Sequence, residues 1–266
     1  MQEYLTLGHM ELIPKNDYAK KEAYYLPHHA VLRDSSTTTK LRVVFDASAK
    51  STSGYSLNDL LMVGPRMKRD VYPILLSFRT FQIAVCTDLE KMFRQIKISS
   101  EDTNWQRILW RDNPKEPVKE YRLTTVTYGT SYAPYLSTRT LTQLALDERE
   151  RYSLASFATL HHFYVDDLLS GAATKKEAVE LVWQLKEMMR KGSFNLRKWQ
   201  SNSEVIKEVP ENQNLKVVQN DEEIKILGIQ WNPKSDLSVS MFHYKNRSAL
   251  ILKEKFFLKL LACLIL

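Results

Sequence analysis

Asp166 and Asp167 are adjacent carboxylates inside an otherwise apolar run, Phe163-Tyr164-Val165-Asp166-Asp167-Leu168-Leu169. Two unpaired negative charges in such a setting repel each other and lose hydration, so a counter-charge is needed. A divalent cation supplies one directly, and Mg²⁺ is typically held by one or two carboxylates together with substrate phosphates. A third carboxylate, Asp88, closes the apolar run Ile83-Ala84-Val85-Cys86-Thr87-Asp88. With Asp88 brought in on its own strand, the set would hold two ions about 4 Å apart, which activate an attacking hydroxyl and stabilise a departing pyrophosphate. The plainer reading of an Asp-Asp pair is turn chemistry alone.

Positioning these groups is the work of the elements around them. A near-continuous apolar strand is a buried one, so residues 83–88 predict a core strand with Asp88 held where the sheet meets solvent. Residues 163–169 read as a hairpin with the two acids at its tip. The helix that follows has clear signals: Thr174 and Glu177 form a capping box, Ala178, Leu181, Leu185 and Met188 make a buried stripe, and Gly192 closes it. Val71, Ile74, Leu75 and Phe78 recur at helical spacing after Asp70, as do Leu136, Leu141, Leu144 and Ala145 over 134–149. Strands are predicted at 30–32 and 41–46, paired across the turn 34–39, and at 105–110 and 121–128, joined by the Pro-rich turn 113–117. The last strong strand is 224–231, ended by Asn232-Pro233. Strands interleaved with helices of this length predict an α+β or α/β protein.

Composition bounds the rest. The chain has 266 residues, 44% hydrophobic and 26% charged, enough for a core of its own as one large domain or two small ones. Two cysteines, Cys86 and Cys263, build neither a disulfide framework nor a four-cysteine zinc site, which points to a reducing intracellular setting. The start Met1-Gln2-Glu3-Tyr4 lacks the pattern of a signal peptide, and no run of about 18 apolar residues spans a bilayer, so the expectation is a soluble protein with no membrane partner. The net charge of +7 admits a polyanionic partner without demanding one. Arg66, Lys68 and Arg69 form one basic cluster, and Lys186, Arg190, Lys191, Arg197 and Lys198 another; a solvated helix face is the plainer account of each. His28-His29 and His161-His162 are poor metal pairs, because neighbours on a strand point to opposite faces. No Gly-x-x-x-x-Gly-Lys-Ser/Thr loop supports a P-loop ATPase.

Tyr164-Val165-Asp166-Asp167 resembles the Tyr-x-Asp-Asp box of reverse transcriptases, and Asp88-Leu89-Glu90-Lys91-Met92-Phe93 their preceding Asp box with an aromatic five residues on. Between them, Tyr128-Gly129-Thr130-Ser131-Tyr132-Ala133-Pro134 resembles the Gly-x-x-x-x-Pro element along the incoming nucleotide and template. Lys40-Leu41-Arg42-Val43-Val44-Phe45-Asp46 resembles the fingers strand, Phe194-Asn195-Leu196-Arg197-Lys198-Trp199 the last palm motif, and Ile226-Leu227-Gly228-Ile229 the primer grip. The wording of Tyr25-Leu26-Pro27-His28-His29 and Val44-Phe45-Asp46-Ala47-Ser48 is most similar to the Pao/BEL branch of long-terminal-repeat retrotransposons. Six elements in the family's order carry the resemblance over roughly 1–232.

What the resemblance implies is an α+β fold: the fingers and palm of a right-hand polymerase, the palm an antiparallel sheet with packed helices, the thumb truncated. Residues 1–25 would be an N-terminal extension, 26–232 the fingers and palm, and 233–266 the start of a truncated thumb. Asp88, Asp166 and Asp167 would be catalytic metal ligands for two Mg²⁺ ions, with Mn²⁺ as the alternative. Leu89 would help place the nucleotide's metal through its carbonyl, and Lys40 and Arg42 would neutralise the triphosphate, for which a planar donor fork is suited. Phe93 would exclude a 2′-hydroxyl by bulk, or else pack in the core. Tyr128 and Gly129 would line the nucleotide pocket, although retroviral enzymes have Gln in place of Tyr128. Lys198, with Arg197 beside it as the alternative, would protonate the leaving pyrophosphate. Leu227 and Gly228 would pack on the primer's 3′ end, and Trp231 belongs to the core.

The implied function is RNA-directed DNA synthesis from deoxynucleotides on a primed RNA or DNA template, in the cytoplasm or in virus-like particles. The alternatives are a catalytically inactive retroelement relic that only binds nucleic acid, and another two-metal phosphoryl-transfer enzyme such as a nuclease. The apolar tail 255–266 reads as an amphipathic helix or an exposed apolar liability, and the genetic code offers another explanation. A coding strand shifted by one base yields it, and in the other frame yields Glu-Ile-Phe-Ser-Lys-Ile-Ala-Cys-Leu-Phe-Asp-Pro-Leu, which resembles the family's next segment. The expectation is a truncated, frameshifted element copy.

Overall fold

A computed structural model describes residues 1–14, 22–32, 41–67, 70–209 and 224–240. Lys40, the turn 34–39, Lys68, Arg69 and the tail 255–266 with Cys263 lie outside the described residues. In chain order the elements are α1 (Gln2–Thr6), β1 (Met10–Leu12), β2 (His28–Leu32), β3 (Leu41–Phe45), α2 (Leu57–Leu60), α3 (Val71–Thr80), β4 (Ile83–Leu89), β5 (Arg107–Trp110), β6 (Lys119–Leu123) and α4 (Ala133–Asp147). They continue with α5 (Ser153–His162), β7 (Phe163–Tyr164), β8 (Asp167–Ala172), α6 (Lys175–Lys191), β9 (Leu196–Ser201), α7 (Val205–Glu208), β10 (Ile224–Ile226), β11 (Ile229–Asn232) and β12 (Leu237–Ser240). Two 3₁₀ turns, Met92–Gln95 and Asp102–Gln106, lie between β4 and β5.

The chain forms two compact units. The first comprises Met1–Lys68, Glu90–Asp147 and Arg190–Phe194, the second Arg69–Leu89, Glu148–Met189 and Asn195–Leu266. In the first, β1, β6 and β5 form an antiparallel sheet and β2 pairs with β3. Met10, Leu26, Phe45, Leu57, Ile108 and Leu123 close its core. Ser56 caps α2 in a reciprocal box with Asp59, the serine hydroxyl accepting from the Asp59 amide while the Asp59 carboxylate accepts from the Ser56 amide.

In the second unit the sheet order is β7-β8-β4-β9, antiparallel throughout, so β4 is central and its side chains are buried from Ala84 to Thr87. Alternating burial is not required of a strand covered on both faces, which is why 83–89 reads as a continuous apolar run. Helix α3 lays Ile74 and Phe78 on Ala84, Cys86 and Leu169, and Trp231 of β11 meets Phe78 edge to face with ring centres 5.0 Å apart. The Trp231 indole donates to Asp236, which also pairs with Arg79 at 2.9 Å. Helix α6 begins at the expected box, the Thr174 amide donating to Glu177 and the Glu177 amide to the Thr174 hydroxyl.

The structure corrects the strand predicted over 224–231. It is a hairpin, β10 and β11, whose turn is Leu227-Gly228 with φ of 48° and 85°. Two successive residues in the left-handed region make the tight turn that matches strand twist, and glycine takes that conformation at no steric cost. The predicted strand 105–110 begins only at Arg107, because 102–106 is a 3₁₀ turn, and the strand predicted over 121–128 ends at Leu123.

Candidate active site

Asp88 is the penultimate residue of β4, directly opposite Asp167 on β8 and opposite Arg197 on β9. Asp166 is in the turn between β7 and β8, and its carbonyl accepts from the Leu89 amide at 2.8 Å, tying the hairpin tip to the end of β4. Val165 takes φ of 61° there. A β-branched residue in the left-handed region is a backbone outlier of the kind that persists where surrounding structure fixes it.

A second outlier faces it. Between the pairs Cys86–Gln200 and Asp88–Arg197 the register of β4 and β9 shifts, so Lys198 and Trp199 stand against Thr87 alone, and Lys198 has φ of 56°. Such a bulge re-aims a side chain. Here Lys198 donates to Asp88 Oδ2 at 2.9 Å, and Trp199 is fully buried. Arg197 Nε lies 3.9 Å from Asp88 Oδ1.

The electrostatics are those of crowded carboxylates. Asp167 is raised to about 6, first by burial, then by the charges of Asp166 and Asp88, with Lys198 opposing. Burial pushes the Cys86 thiol up, and Asp167 adds to it. Asp88 Oδ1 is buried and accepts no hydrogen bond among the described residues.

Among the described residues no three His, Cys, Asp or Glu side chains are arranged as a closed ligand set. The structure therefore brings Asp88 and Asp167 together as cross-strand neighbours with Asp166 in the adjoining turn, short of one cluster. The donor set still fits a hard cation: oxygen ligands, an orphaned carboxylate oxygen, and a carboxyl whose charge is disfavoured without a counter-ion.

The other expected site residues fall as follows. In the second unit, Leu89 is buried, and Leu227 and Gly228 form the β10-β11 turn. Among the described residues nothing lies within 4 Å of a Cβ built on Gly228, so its φ is what calls for glycine. In the first unit, Arg42 is exposed on β3 opposite Val31, and Phe93 is half-buried on the 3₁₀ turn after β4. Tyr128 turns inward, its hydroxyl donating to the Val43 carbonyl and lying 2.8 Å from the Tyr4 hydroxyl. Gly129 has φ of 97°, and a Cβ there would lie 2.4 Å from the Phe45 carbonyl oxygen. His28 packs between the rings of Phe45 and Trp110 while His29 is exposed.

Two residues here are not singled out by sequence. Asn58 clamps the 129–131 loop, its amide donating to the Gly129 carbonyl and its oxygen accepting from the Ser131 amide at 2.7 Å. The Ser56–Asp59 box flags the helix but not this contact. Arg94 is buried among Tyr4, Phe45 and Tyr128, with no motif to mark it.

An antiparallel sheet presenting one strand-end carboxylate beside a hairpin with two more is the architecture of a polymerase palm. The sequence profile described as reverse transcriptase (RNA-dependent DNA polymerase) matches residues 49–231, and the chain belongs to that family. The fold agrees. The chain is similar to a foamy viral protease-reverse transcriptase solved in complex with double-stranded DNA, at TM-score 0.59 and 14% identity over 89% of this chain and 33% of that one. It is also similar to the native prototype foamy virus protease-reverse transcriptase, at TM-score 0.52 and 16% identity over 74% of this chain and 22% of that one. The chain thus spans about a third or less of these relatives. A comparison with curated proteins finds no match.

Proposed function

We propose that the chain is the fingers and palm of an RNA-directed DNA polymerase of the Pao/BEL type, extending a primer 3′-hydroxyl with deoxynucleotides. The observation that carries this reading is the placement of Asp88 opposite Asp167, with Asp166 tied to the end of the same strand by the Leu89 amide. Asp88, Asp166 and Asp167 would hold Mg²⁺, or Mn²⁺ in its place. When bound, a pair of such ions neutralises charge on the attacking hydroxyl and the departing pyrophosphate.

The chain's own residues supply position and protons. The strand-end and hairpin carboxylates are fixed by the sheet, so little reorganisation is needed as charge develops. Lys198, exposed along half its side chain and resting on Asp88, carries an ammonium proton for the leaving pyrophosphate. Exposed Arg42, with Lys40, meets the triphosphate, Phe93 meets the sugar, and the Leu227-Gly228 turn meets the primer end. The partners are a primed RNA or DNA template and deoxynucleotides; the double-stranded DNA bound by the foamy viral relative supports a duplex as the occupant. The setting is intracellular, in cytoplasmic particles. Among the described residues no helix is long and apolar enough to cross a membrane.

The test is templated single-nucleotide addition. With each deoxynucleotide offered alone, only the one complementary to the template base should add, releasing pyrophosphate. A relic would bind the duplex in a salt-sensitive way and add nothing; a nuclease would shorten the primer without needing nucleotides.

A further inference from the structure

Arg94 is 5% exposed and meets no carboxylate among the described residues. A buried cation without a counter-charge is costly, so whatever retains it must compensate. Three aromatic faces do. The guanidinium carbon lies 4.5 Å from the centre of the Tyr4 ring, 4.9 Å from Tyr128 and 5.3 Å from Phe45, distances at which ring quadrupoles attract a cation. Its terminal nitrogens donate to the Tyr4 hydroxyl at 3.2 Å and the Thr125 hydroxyl at 3.4 Å, and Nε finds no acceptor among the described residues.

The cage joins α1 to the short turn that bears Phe93. Arg94 is the next residue on that turn, and its amide donates to the Lys91 carbonyl at 2.7 Å. Lys91, in the left-handed region at φ 49°, pairs with Glu3 of α1. The turn is therefore gripped on both sides of Phe93 by neighbouring residues of one helix. Residues 1–48 lie outside the family match, so family membership does not bring α1 to this place.

We propose that Arg94 is a positioning residue for Phe93, held by Tyr4 and Glu3, so that discrimination between deoxy- and ribonucleotides depends on the N-terminal helix. The inference rests on the reading of Phe93 as the residue that meets the sugar.

The experiment compares deoxy- with ribonucleotide incorporation by the full chain as wild type, Arg94→Met, Tyr4→Phe, Phe93→Ala, and Phe93→Ala with Arg94→Met, each confirmed to melt cooperatively. Methionine keeps bulk while removing charge and donors; phenylalanine keeps the ring and removes the hydroxyl. Arg94→Met should lower the preference for deoxynucleotides about tenfold, through a lower KM for ribonucleotides, because small misplacements at a reacting centre have large effects. The double variant should discriminate no worse than Phe93→Ala alone. An unchanged preference in a folded Arg94→Met protein, or additive losses in the double variant, would overturn the proposal. If the wild type incorporates neither nucleotide, the polymerase reading fails instead, and the strut is judged by amide exchange at residues 92–96. Tyr4→Phe should speed that exchange by about fivefold to tenfold, the effect of losing one modest hydrogen bond; unchanged exchange contradicts it.

Discussion

Asp167 carries an ionisation cost that can be measured. Burial, and then the Asp166 and Asp88 charges, raise its carboxyl from 3.8 to about 6. Between those values the folded chain binds more protons than the unfolded one, so stability falls as pH rises through that window and this protonation-linked contribution is gone above about pH 6. Without divalent ions, the wild type should melt at a higher temperature at pH 5 than at pH 7.5. Asp167→Asn should lose that part of the difference and melt above the wild type at pH 7.5; equal melting of the two at pH 7.5 would contradict the crowding described. At this scale the carboxylates were legible in the sequence, because an acid within an apolar run needs a reason. Arg94 and Asn58 were not, since their partners Tyr4 and Gly129 are 90 and 71 positions away and no local pattern announces them.

The elements that aim these residues depend on backbone conformations that few side chains take. Gly129 lets its loop pass against the Phe45 carbonyl at a φ of 97°, with Asn58 holding the next turn. Gly129→Ala should destabilise the chain by about 1–3 kcal/mol, the usual cost of a forced backbone strain, in equilibrium unfolding; a neutral alanine would mean that the loop relaxes elsewhere. Strand β4, the Asp166-Asp167 hairpin and the α6 cap were readable because each has a strong local signal, an apolar run or a capping pair. Helix α5 was not foreseen. It is buried through Ala155, Ser156, Ala158, Thr159 and His162, small or polar residues that give no apolar stripe at helical spacing. Helix α1, five residues long, is too short for periodicity to register at all. The β10-β11 turn was missed because Leu227-Gly228 lies between two apolar runs that read as one.

For the whole molecule, family membership and fold are settled by the match over 49–231 and by the foamy viral structures, while activity rests on the site. The net charge of +7 is compatible with a duplex partner and says nothing of catalysis. Fold class was readable from strand and helix interleaving, whereas the division into two units was not, since each unit is assembled from separated stretches of chain. The polymerase reading is tested by primer extension on an RNA template with Mg²⁺ and all four deoxynucleotides, wild type beside Asp166→Asn. The wild type should extend the primer and the variant should lose at least about 10²-fold with duplex binding retained, as expected when a preorganised charge is removed from an active site. Extension by both proteins at equal rates, or by neither when both are folded and bind the duplex, would contradict it.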